Sequence, residues 1–290
     1  MSQTIEGRGE LAIGSRVLAW GTRTYVMGVL NVTPDSFSGD GVGGDPIELQ
    51  DRIEQLVTGD ADIIDVGGES TRPGALEVST QEELERVLPA IAVIRANTDI
   101  PISVDTRKAA VAEAAVRAGA HVINDVTGGG FDADILSVAA RAGVPIVLTH
   151  SRRARAVLSA LGGHYTDAHY ADLIADILTD LRTKLERAAC AGMSPESIVV
   201  DPGFGFGKTP EQNIDLLRRL DEFVELGLPI LVGMSRKSFV GKLLGLPPDR
   251  RLEGSLAAAV IAVSKGADIV RAHDVGATKR AVAVADAIYR

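Results

Sequence analysis

The stretch Pro101–Asp125, PISVDTRKAAVAEAAVRAGAHVIND, decides the fold because it holds a strand, a helix and a second strand in one short segment. Its apolar start, Pro101–Val104, predicts a buried strand, and the Ala-rich segment Lys108–Ala118 has helical periodicity. Gly119 follows that segment and suits the left-handed residue that ends many helices. His121–Ile123 then predicts the next buried strand. The segment is therefore predicted to be a βαβ unit.

The same order recurs along the rest of the chain. Further apolar runs that predict buried strands are Tyr25–Val32, Ala61–Val66, Pro145–Leu148, Ser197–Val200, Pro229–Val232 and Ala267–Val270. Segments with helical periodicity include Gln81–Ala96, Ala171–Ala191 and Gly254–Ser264. Continuously apolar strands are typical of parallel sheets that helices cover on both faces. Eight βα units in 290 residues predict an α/β fold, a closed (β/α)8 TIM barrel, with an open doubly wound sheet as the alternative.

Residues 1–290 are predicted to form a single domain, since no linker or low-complexity tract interrupts the pattern. Residues 9–23 alternate around two glycines and predict an N-terminal β-hairpin, which we expect to plug the bottom of the barrel. Irregular stretches after strands would lie at the opposite, C-terminal face, where barrel active sites are found. They are Thr33–Asp45, Gly67–Thr80, Ser151–Tyr165 and Pro202–Pro210.

Composition disfavours several classes of protein. A net charge of −9 and a pI near 5.1 argue against a nucleic-acid partner, which requires a concentrated positive surface. The single cysteine, Cys190, can form neither an intrachain disulfide nor a cysteine-based metal site. Residues Met1–Gly9 are polar, and no run of about 18 apolar residues occurs, so neither secretion nor a membrane span is predicted. We therefore expect a cytoplasmic protein.

A polar residue stands at or just after the end of each predicted strand. In chain order these residues are Asn31, Asp65, Asp105, Asn124 with Asp125, His150, Asp201, Ser235, and Arg271 with His273. One such residue commonly does no more than cap a strand, whereas a series of them in a barrel would converge on one pocket. Carboxylates and amides can bind a polar heterocycle, and cations can bind an anion. The pattern predicts a binding site but not a particular reaction.

Two basic clusters predict an anion site. Ser235–Lys237 follows the seventh predicted strand and Arg271–His273 ends the eighth, where many barrels bind phosphate. We expect the anion to be a diphosphate. Asn31 and Asp35 offer only oxygen ligands, which suit a Mg²⁺ ion that is shared with substrate phosphates.

The segment Asp201–Thr209, DPGFGFGKT, resembles the end of a Walker A motif. Pro202 stands where that motif requires its first glycine, so a nucleoside triphosphate site is not predicted. Alternating Gly and Phe instead predict a tight loop that brings backbone and an aromatic ring close to a flat ligand.

Seven ordered motifs resemble those of the dihydropteroate synthases, which join a dihydropterin methyl diphosphate to 4-aminobenzoate and release diphosphate in folate biosynthesis. They are Met27–Ser38 (MGVLNVTPDSFS), Asp65–Gly74 (DVGGESTRPG), Ser103–Thr106 (SVDT), Ile123–Val126 (INDV), Asp201–Lys208 (DPGFGFGK), Ser235–Phe239 (SRKSF) and Arg271–Asp274 (RAHD). The resemblance spans nearly the whole chain. It implies a pterin-binding transferase that uses Mg²⁺ and two small-molecule substrates, and a homodimer.

The roles of individual residues are implied by this resemblance alone. Pterin binding is implied for Asp105, Asn124, Asp201 and Lys237. Binding of the diphosphate and its Mg²⁺ is implied for Asn31, Arg72, Arg271 and His273, with Asn31 as the metal ligand. Contact with 4-aminobenzoate is implied for Thr71, Arg72, Phe206 and Ser238. The residues expected to act in catalysis are Asp105, Asp201, Lys237, Arg271 and His273.

The chain departs from the common pattern of the family at two places. Thr149–Ser151 (THS) replaces a frequent Met-His-Met and precedes an Arg-rich loop, and Asp40 is displaced by one position in the first loop. Three alternatives are open. They are a methyltetrahydrofolate-dependent methyltransferase, an aldolase-like barrel with Lys237 or Lys208 as a Schiff base, and a non-catalytic pterin-binding paralogue.

Overall fold

The computed structural model describes residues 9–33, 46–71, 75–152, 156–157 and 163–290. The strands in these ranges are β1 (Glu10–Ile13), β2 (Arg16–Ala19), β3 (Tyr25–Asn31), β4 (Ile63–Gly67), β5 (Ile102–Asp105), β6 (Val122–Asp125), β7 (Ile146–Thr149), β8 (Ala156–Val157), β9 (His164–Tyr165), β10 (Ile198–Asp201), β11 (Leu231–Val232) and β12 (Ile269–Ala272). The α-helices are α1 (Pro46–Thr58), α2 (Thr80–Asn97), α3 (Ala109–Arg117), α4 (Asp134–Ala142), α5 (Leu173–Cys190), α6 (Pro210–Arg218), α7 (Ser238–Leu244), α8 (Leu252–Ser264) and α9 (Val275–Tyr289).

Eight of the strands form one parallel sheet in the order β10-β7-β6-β5-β4-β3-β12-β11. The two ends of this sheet meet, because Val200 of β10 forms a parallel bridge with Ile230 and its N–H donates to the carbonyl of Pro229 at 2.9 Å. The sheet is thus a barrel with helices between successive strands. The predicted (β/α)8 barrel is confirmed, and the open doubly wound sheet is wrong.

Several barrel strands end one or two residues beyond the apolar runs that predict them. Asp105, Asp125, Thr149 and Asp201 are each the last residue of a strand. Backbone pairing continues through them, as in the register of Asp201 opposite Thr149. Because the backbone ladder fixes these positions, the side chains at the strand ends start from a rigid base.

The N-terminal hairpin closes the bottom of the barrel. Strands β1 and β2 pair antiparallel, with Glu10 opposite Ala19, and Gly14 in the turn has a φ of +56°. A separate apolar cluster, here called the lower core, joins the hairpin to the first residues of the barrel strands. Its members are Leu11, Ile13, Leu18, Trp20, Tyr25, Met27, Ile63, Val122, Val147, Val199, Leu231 and Ile269. The predicted hairpin and its position at the barrel bottom are confirmed.

The helices pack on the outside of the barrel, where their apolar faces meet the outward side chains of the strands. Polar side chains begin several of them: Ser79 Oγ accepts from the N–H of Glu82, and Thr209 forms a capping box with Gln212. Gly119, after α3, has a φ of +110°, as predicted. Within the described ranges, every helix is too short or too polar to cross a membrane.

Candidate active site

Four barrel strands bring a charged and amide cluster together at their C-terminal ends. Arg271 of β12 donates from Nε to Asp65 Oδ2 of β4 at 2.6 Å, and from Nη2 to Asp105 Oδ2 of β5 at 2.8 Å. Asn124 of β6 donates from Nδ2 to the same Asp65 oxygen at 3.0 Å. The guanidinium therefore holds two buried carboxylates, which we call the central carboxylate pair, at the mouth of the barrel.

Asp105 lies between its neutral and ionised forms near neutral pH. Burial raises the pKa of Asp105 to about 7, although Arg271 draws it down, and Asp65 raises it further. The second oxygen of each member of the central carboxylate pair, Asp105 Oδ1 and Asp65 Oδ1, is buried and accepts no hydrogen bond within the described ranges. A buried acceptor of this kind is costly unless a donor reaches it. The cluster therefore suits a ligand that presents N–H groups.

Asp201 and Lys237 form a second pair of ionisable groups beside the first. Asp201 Oδ1 accepts the N–H of Gly203 at 2.7 Å, and burial raises the pKa of Asp201 while Lys237 opposes the rise. Lys237 Nζ donates to the carbonyl of Phe204 and lies 4.6 Å from the centroid of the Phe206 ring. Burial lowers the pKa of Lys237 to about 8, against the attraction of Asp201. Shifts of this size toward neutrality in a cleft mark a candidate functional site.

The predicted tight loop after β10 packs its backbone against the chain that follows β7. Gly203 has a φ of +77°, and a Cβ there would lie 1.8 Å from the carbonyl oxygen of His150. Gly207 has a φ of +65°, and a Cβ there would lie 2.0 Å from the carbonyl oxygen of Arg152. Only glycine fits either position. The loop can therefore place the Phe206 ring over the site without moving the strands.

The two basic clusters meet, as predicted, but their members differ in availability. His273 Nδ1 lies 3.0 Å from Ser235 Oγ, which ties the segment after β11 to the end of β12. Arg236 instead donates two hydrogen bonds to the Asp274 carboxylate, from Nε to Oδ2 at 3.1 Å and from Nη2 to Oδ1 at 2.8 Å. A cleft of about 260 Å³ opens beside His273 and the first residues of α9. Arg236 is therefore engaged with Asp274 at the start of α9, whereas Lys237 and Arg271 lie with the buried carboxylates at the mouth of the barrel.

Some of the polar residues at strand ends brace the structure. Asp125 accepts from the N–H and the hydroxyl of Thr127, both at 2.8 Å, and from the N–H of Gly129, so it fixes the turn after β6. His150 is buried with its Nδ1 3.0 Å from Lys208 Nζ. Burial lowers the pKa of His150 to about 2, which keeps the ring neutral. These residues support the site from behind.

The other predicted site residues lie around the mouth or outside the described ranges. Asn31 ends β3 opposite Gly67 of β4, and Ser238 is the first residue of α7. Thr71 is half-buried in the loop after β4. Arg72, Asp35 and Asp40 lie outside the described residues.

Sequence reasoning missed two features of the site. Asp65 is a strand-end residue and begins the DVGGESTRPG motif, but the sequence assigns it no role, yet it is the partner of both Arg271 and Asn124. Lys208 was considered only as a Schiff base, yet its side chain is 1% exposed and bonds to the backbone of its own loop. Asp65 could have been found from its place in the series of strand ends. No feature of the sequence indicates the direction of the Lys208 side chain.

A metal site built only from protein groups is not seen in the described part of the chain, where no three His, Cys, Asp or Glu side chains are grouped to hold an ion. Asn31 offers one amide oxygen at the mouth, on the same side as Gly67 and Asp105. This donor set fits Mg²⁺ only if most ligands come from a substrate or from water.

Comparison with known proteins gives a consistent result. The family model of pterin binding enzymes matches residues 27–273. The dihydropteroate synthase of Synechocystis sp. is 49% identical over 284 residues, which cover 97% of this chain and 95% of that protein. The dihydropteroate synthase of Bacillus subtilis is 44% identical over 271 residues, with 93% of this chain and 90% of that protein covered.

Solved structures agree with these relatives. The structure of dihydropteroate synthase from Yersinia pestis with a sulfonamide drug matches with a TM-score of 0.88 at 41% identity, covering 96% of this chain and 98% of that one. The structure of dihydropteroate synthase from Xanthomonas albilineans with 4-aminobenzoic acid matches with a TM-score of 0.84 at 40% identity, covering 96% and 97%. The similarity therefore extends over the whole barrel.

Proposed function

The chain belongs to the family of pterin-binding enzymes, and we propose from this premise that it is a dihydropteroate synthase that transfers a pterinylmethyl group to 4-aminobenzoate. The observation that carries the proposal is the junction of Arg271 with the central carboxylate pair, beside Asp201 and Lys237. It provides acceptors for a heterocycle with N–H groups and cations for a leaving anion in one cleft. Such convergence at the C-terminal face is typical of barrel active sites.

The pterin lies between the central carboxylate pair and Asp201. Asp105 Oδ1 and Asp201 accept hydrogen bonds from N–H groups of the ring. Asn124 forms hydrogen bonds with the polar edge of the ring, and Lys237 donates to a ring acceptor. The buried and unpartnered Asp105 Oδ1 supports this placement. Because the carboxylates are desolvated, hydrogen bonds to them are stronger than in water.

The diphosphate lies on the side of Arg271 and His273. Ser235 holds the His273 ring through Nδ1, which fixes the orientation of the ring at the end of β12. Asn31 would hold a Mg²⁺ together with oxygens of the diphosphate, and the ion, when bound, neutralises part of the charge on the leaving group. We assign Arg72 to the same anion and to the arylamine from the resemblance alone.

The charged side chains of the site account for the proposed reaction. The bond between the pterin methylene carbon and the diphosphate oxygen breaks as Arg271 and His273 stabilise the departing anion. Asp105 and Asp201 stabilise the positive charge that spreads into the pterin ring. The amine of 4-aminobenzoate, bordered by Thr71, Phe206 and Ser238, then bonds to the same carbon and loses its proton to solvent. No covalent bond to the protein is formed.

The direct test is to incubate the purified protein with the dihydropterin diphosphate, 4-aminobenzoate and Mg²⁺, and to measure dihydropteroate and diphosphate. Both products should form in equal amounts. A non-catalytic paralogue would bind pterin in a calorimeter without releasing diphosphate. A Schiff-base enzyme would be trapped by borohydride with a carbonyl substrate. A methyltransferase would pass a methyl group from methyltetrahydrofolate to a corrinoid.

A homodimer is also part of the proposal. Exposed apolar side chains lie on α8 and α9, among them Ile261 at 45%, Val284 at 63% and Ile288 at 68% exposure. Apolar residues grouped on neighbouring helices are a common basis for association.

The affinity for pterin should fall as the pH drops below about 7. Burial raises the pKa of Asp105 to about 7, so below that pH its carboxyl is protonated and loses its capacity as a double acceptor. The Kd of a pterin that lacks the diphosphate should rise about tenfold per pH unit on the acid side. Calorimetry between pH 5 and pH 8 measures this change in Kd, because the range extends about two units below and about one unit above the pKa of Asp105. An affinity that is flat over this range would contradict the assignment.

The pH dependence of the stability that Asp105 contributes runs opposite to that of the pterin affinity. Its folded-state pKa is raised above the ordinary value of 3.8, so the stability it contributes is present at low pH and is lost as the pH rises through about 7. Thermal midpoints of the wild type and Asp105→Asn should therefore converge at acid pH and separate above it, with Asp105→Asn the more stable at high pH. This measurement separates ionisation of Asp105 from titration of the ligand.

Turnover should require Mg²⁺ or another cation that prefers oxygen ligands. The proposal gives the ion few protein ligands and completes its coordination with oxygens of the substrate, so a chelator should compete for it effectively. Exhaustive EDTA treatment should reduce dihydropteroate formation by about 10²-fold or more, and added Mg²⁺ should restore it. Asn31→Ala should raise the Mg²⁺ concentration needed for half-maximal rate. Undiminished turnover in EDTA would exclude this role for the ion.

A further inference from the structure

Lys208 is a buried charged group to which the proposed reaction assigns no role. Its side chain is 1% exposed and turns back over the loop that precedes it. Nζ donates to the carbonyl of Gly203 at 2.8 Å and to the carbonyl of Phe206 at 3.2 Å, and it lies 3.0 Å from His150 Nδ1. An ammonium has three donors; two carbonyls accept here, and the neutral His150 ring accepts as well in the tautomer that carries its proton on Nε2. The group is therefore fully engaged and closed to substrate.

The loop between β10 and α6 is fixed through its peptide groups, and Lys208 supplies two of the contacts. The Gly203 N–H bonds to Asp201 at 2.7 Å, and the Gly205 N–H bonds to Asn213 Oδ1 at 2.7 Å. Lys237 bonds to the carbonyl of Phe204. The two carbonyls that Lys208 holds, those of Gly203 and Phe206, lie before and after the contacts of Phe204 and Gly205 along the chain. Without Lys208, both would lose a side-chain donor in an environment with little water.

These two carbonyls belong to the residues that present the site to its ligands. Gly203 donates its N–H to the Asp201 carboxylate, while its carbonyl, in the next peptide group, accepts from Lys208. Phe206 carries the ring that lies over Lys237. Fixing both from one buried ammonium aligns the carboxylate and the ring relative to each other, which is the purpose of a supporting shell around a binding site.

We propose that Lys208 is a positioning residue that sets the geometry of Asp201 and Phe206 for the pterin and the arylamine together, an inference that rests on the proposed function. It acts through the carbonyls of Gly203 and Phe206 and touches neither substrate. The neutral His150 ring completes its surroundings from the end of β7. The three positive-φ glycines allow the loop to curl closely enough for one side chain to reach both carbonyls.

Electrostatics agree with this arrangement. Burial lowers the pKa of Lys208 well below its ordinary value, and Asp201 is the first of the neighbours that oppose the change. Lys208 in turn lowers the pKa of Asp201, after Lys237 and the Gly203 N–H. Removal of the Lys208 charge should therefore also shift the pH dependence of pterin binding upward.

Lys184 provides a matched control. It is another buried lysine, 6% exposed, that donates to a backbone carbonyl, Thr149, at 2.7 Å and pairs with Asp180 at 2.8 Å. Among the described residues it forms no hydrogen bond or ion pair with the loop after β10, although its charge contributes to lowering the pKa of Lys208. Substitution of Lys184 by Met should cost stability in the same way as substitution of Lys208, without disturbing the substrates.

The experiment compares Lys208→Met with Lys184→Met in the full-length protein. Both variants should unfold at lower urea concentrations than the wild type. Lys208→Met alone should raise the KM for 4-aminobenzoate and the calorimetric Kd for pterin by about tenfold each, the effect of about one lost hydrogen bond in each contact. Its kcat at saturation should change less. Equal substrate constants in the two variants would overturn the proposal.

A second variant tests the proposal even if Lys208→Met fails to fold. Lys208→Gln keeps two N–H donors, so it should fold more readily and raise the two constants by about threefold. Wild-type constants in a folded Lys208→Gln and in Lys208→Met would reject a positioning role. If the wild type itself makes no dihydropteroate, the proposed function fails, and the pterin Kd of the variants still decides the role of Lys208.

Discussion

Asp201→Asn is expected to lower kcat/KM about 10²-fold while leaving the fold intact. One Asp201 oxygen already accepts the Gly203 N–H, so the carboxylate must serve the loop and the pterin at once. An asparagine amide has a single acceptor oxygen and would turn its NH₂ toward a second donor. Charge-assisted hydrogen bonds are worth about 1.5–3 kcal/mol each, and the variant also loses the charge that supports a cationic pterin.

The thermal midpoint of Asp201→Asn should move little. Burial raises the pKa of Asp201, so its negative charge costs the fold stability, and removing that charge offsets any weakening of the hydrogen bond from the Gly203 N–H. Asp125→Asn is the matched control, because Asp125 also ends a strand but bonds only to the turn after β6. That variant should lose stability and keep kcat/KM within about threefold. Near wild-type turnover in a folded Asp201→Asn would reduce Asp201 to a strand cap and move the pterin assignment toward Asp105 and Asn124.

Arg271→Met is expected to destabilise the protein by about 3–5 kcal/mol and to lower kcat by about 10² to 10³-fold. The methionine leaves Asp65 and Asp105 buried without the guanidinium that now bonds to both. Removing one partner of a buried ion pair is costly because the other charge stays desolvated. Under the proposed mechanism the departing diphosphate also loses a cation that stabilises it. Urea unfolding measures the first effect, and single-turnover kinetics measure the second.

A double variant separates the two effects. Asp65→Asn combined with Arg271→Met removes one of the stranded carboxylates, so a large part of the lost stability should return. Activity should not return, because no cation has been restored at the anion side. Recovery of turnover together with stability would show that Arg271 acts only by holding the fold.

The sequence predicts the fold well because burial on both faces leaves a simple pattern. Each barrel strand is an apolar run, and eight of them with intervening helices leave few arrangements. The strand boundaries shift by one or two residues, since backbone pairing continues through a polar side chain such as Asp105 or Asp201. Closure between β10 and β11 depends on a pairing between distant segments, which local pattern does not encode.

The sequence predicts which residues gather at the strand ends but not which of them contact each other. Asp105 and Asp125 look alike in the sequence, since each ends an apolar run, yet Asp105 meets Arg271 and Asp125 braces a turn. The period of two along a strand explains the difference, because Asn124 points into the barrel and Asp125 must point out. Which strand ends meet across the mouth, as Asp65 and Arg271 do, follows only from the closed barrel.

The lower core has a consequence for how this enzyme can evolve. The hairpin side chains Leu11, Ile13, Leu18 and Trp20 are packed at the end of the barrel opposite the site, so natural variation there alters stability without altering the ligands. Proteins generally lie only slightly above the stability that their function requires. A lineage that improves this packing can then tolerate destabilising changes at the mouth, including changes that alter which arylamine analogues bind. Stability gained in the hairpin can thereby offset destabilising substitutions at the opposite end of the molecule.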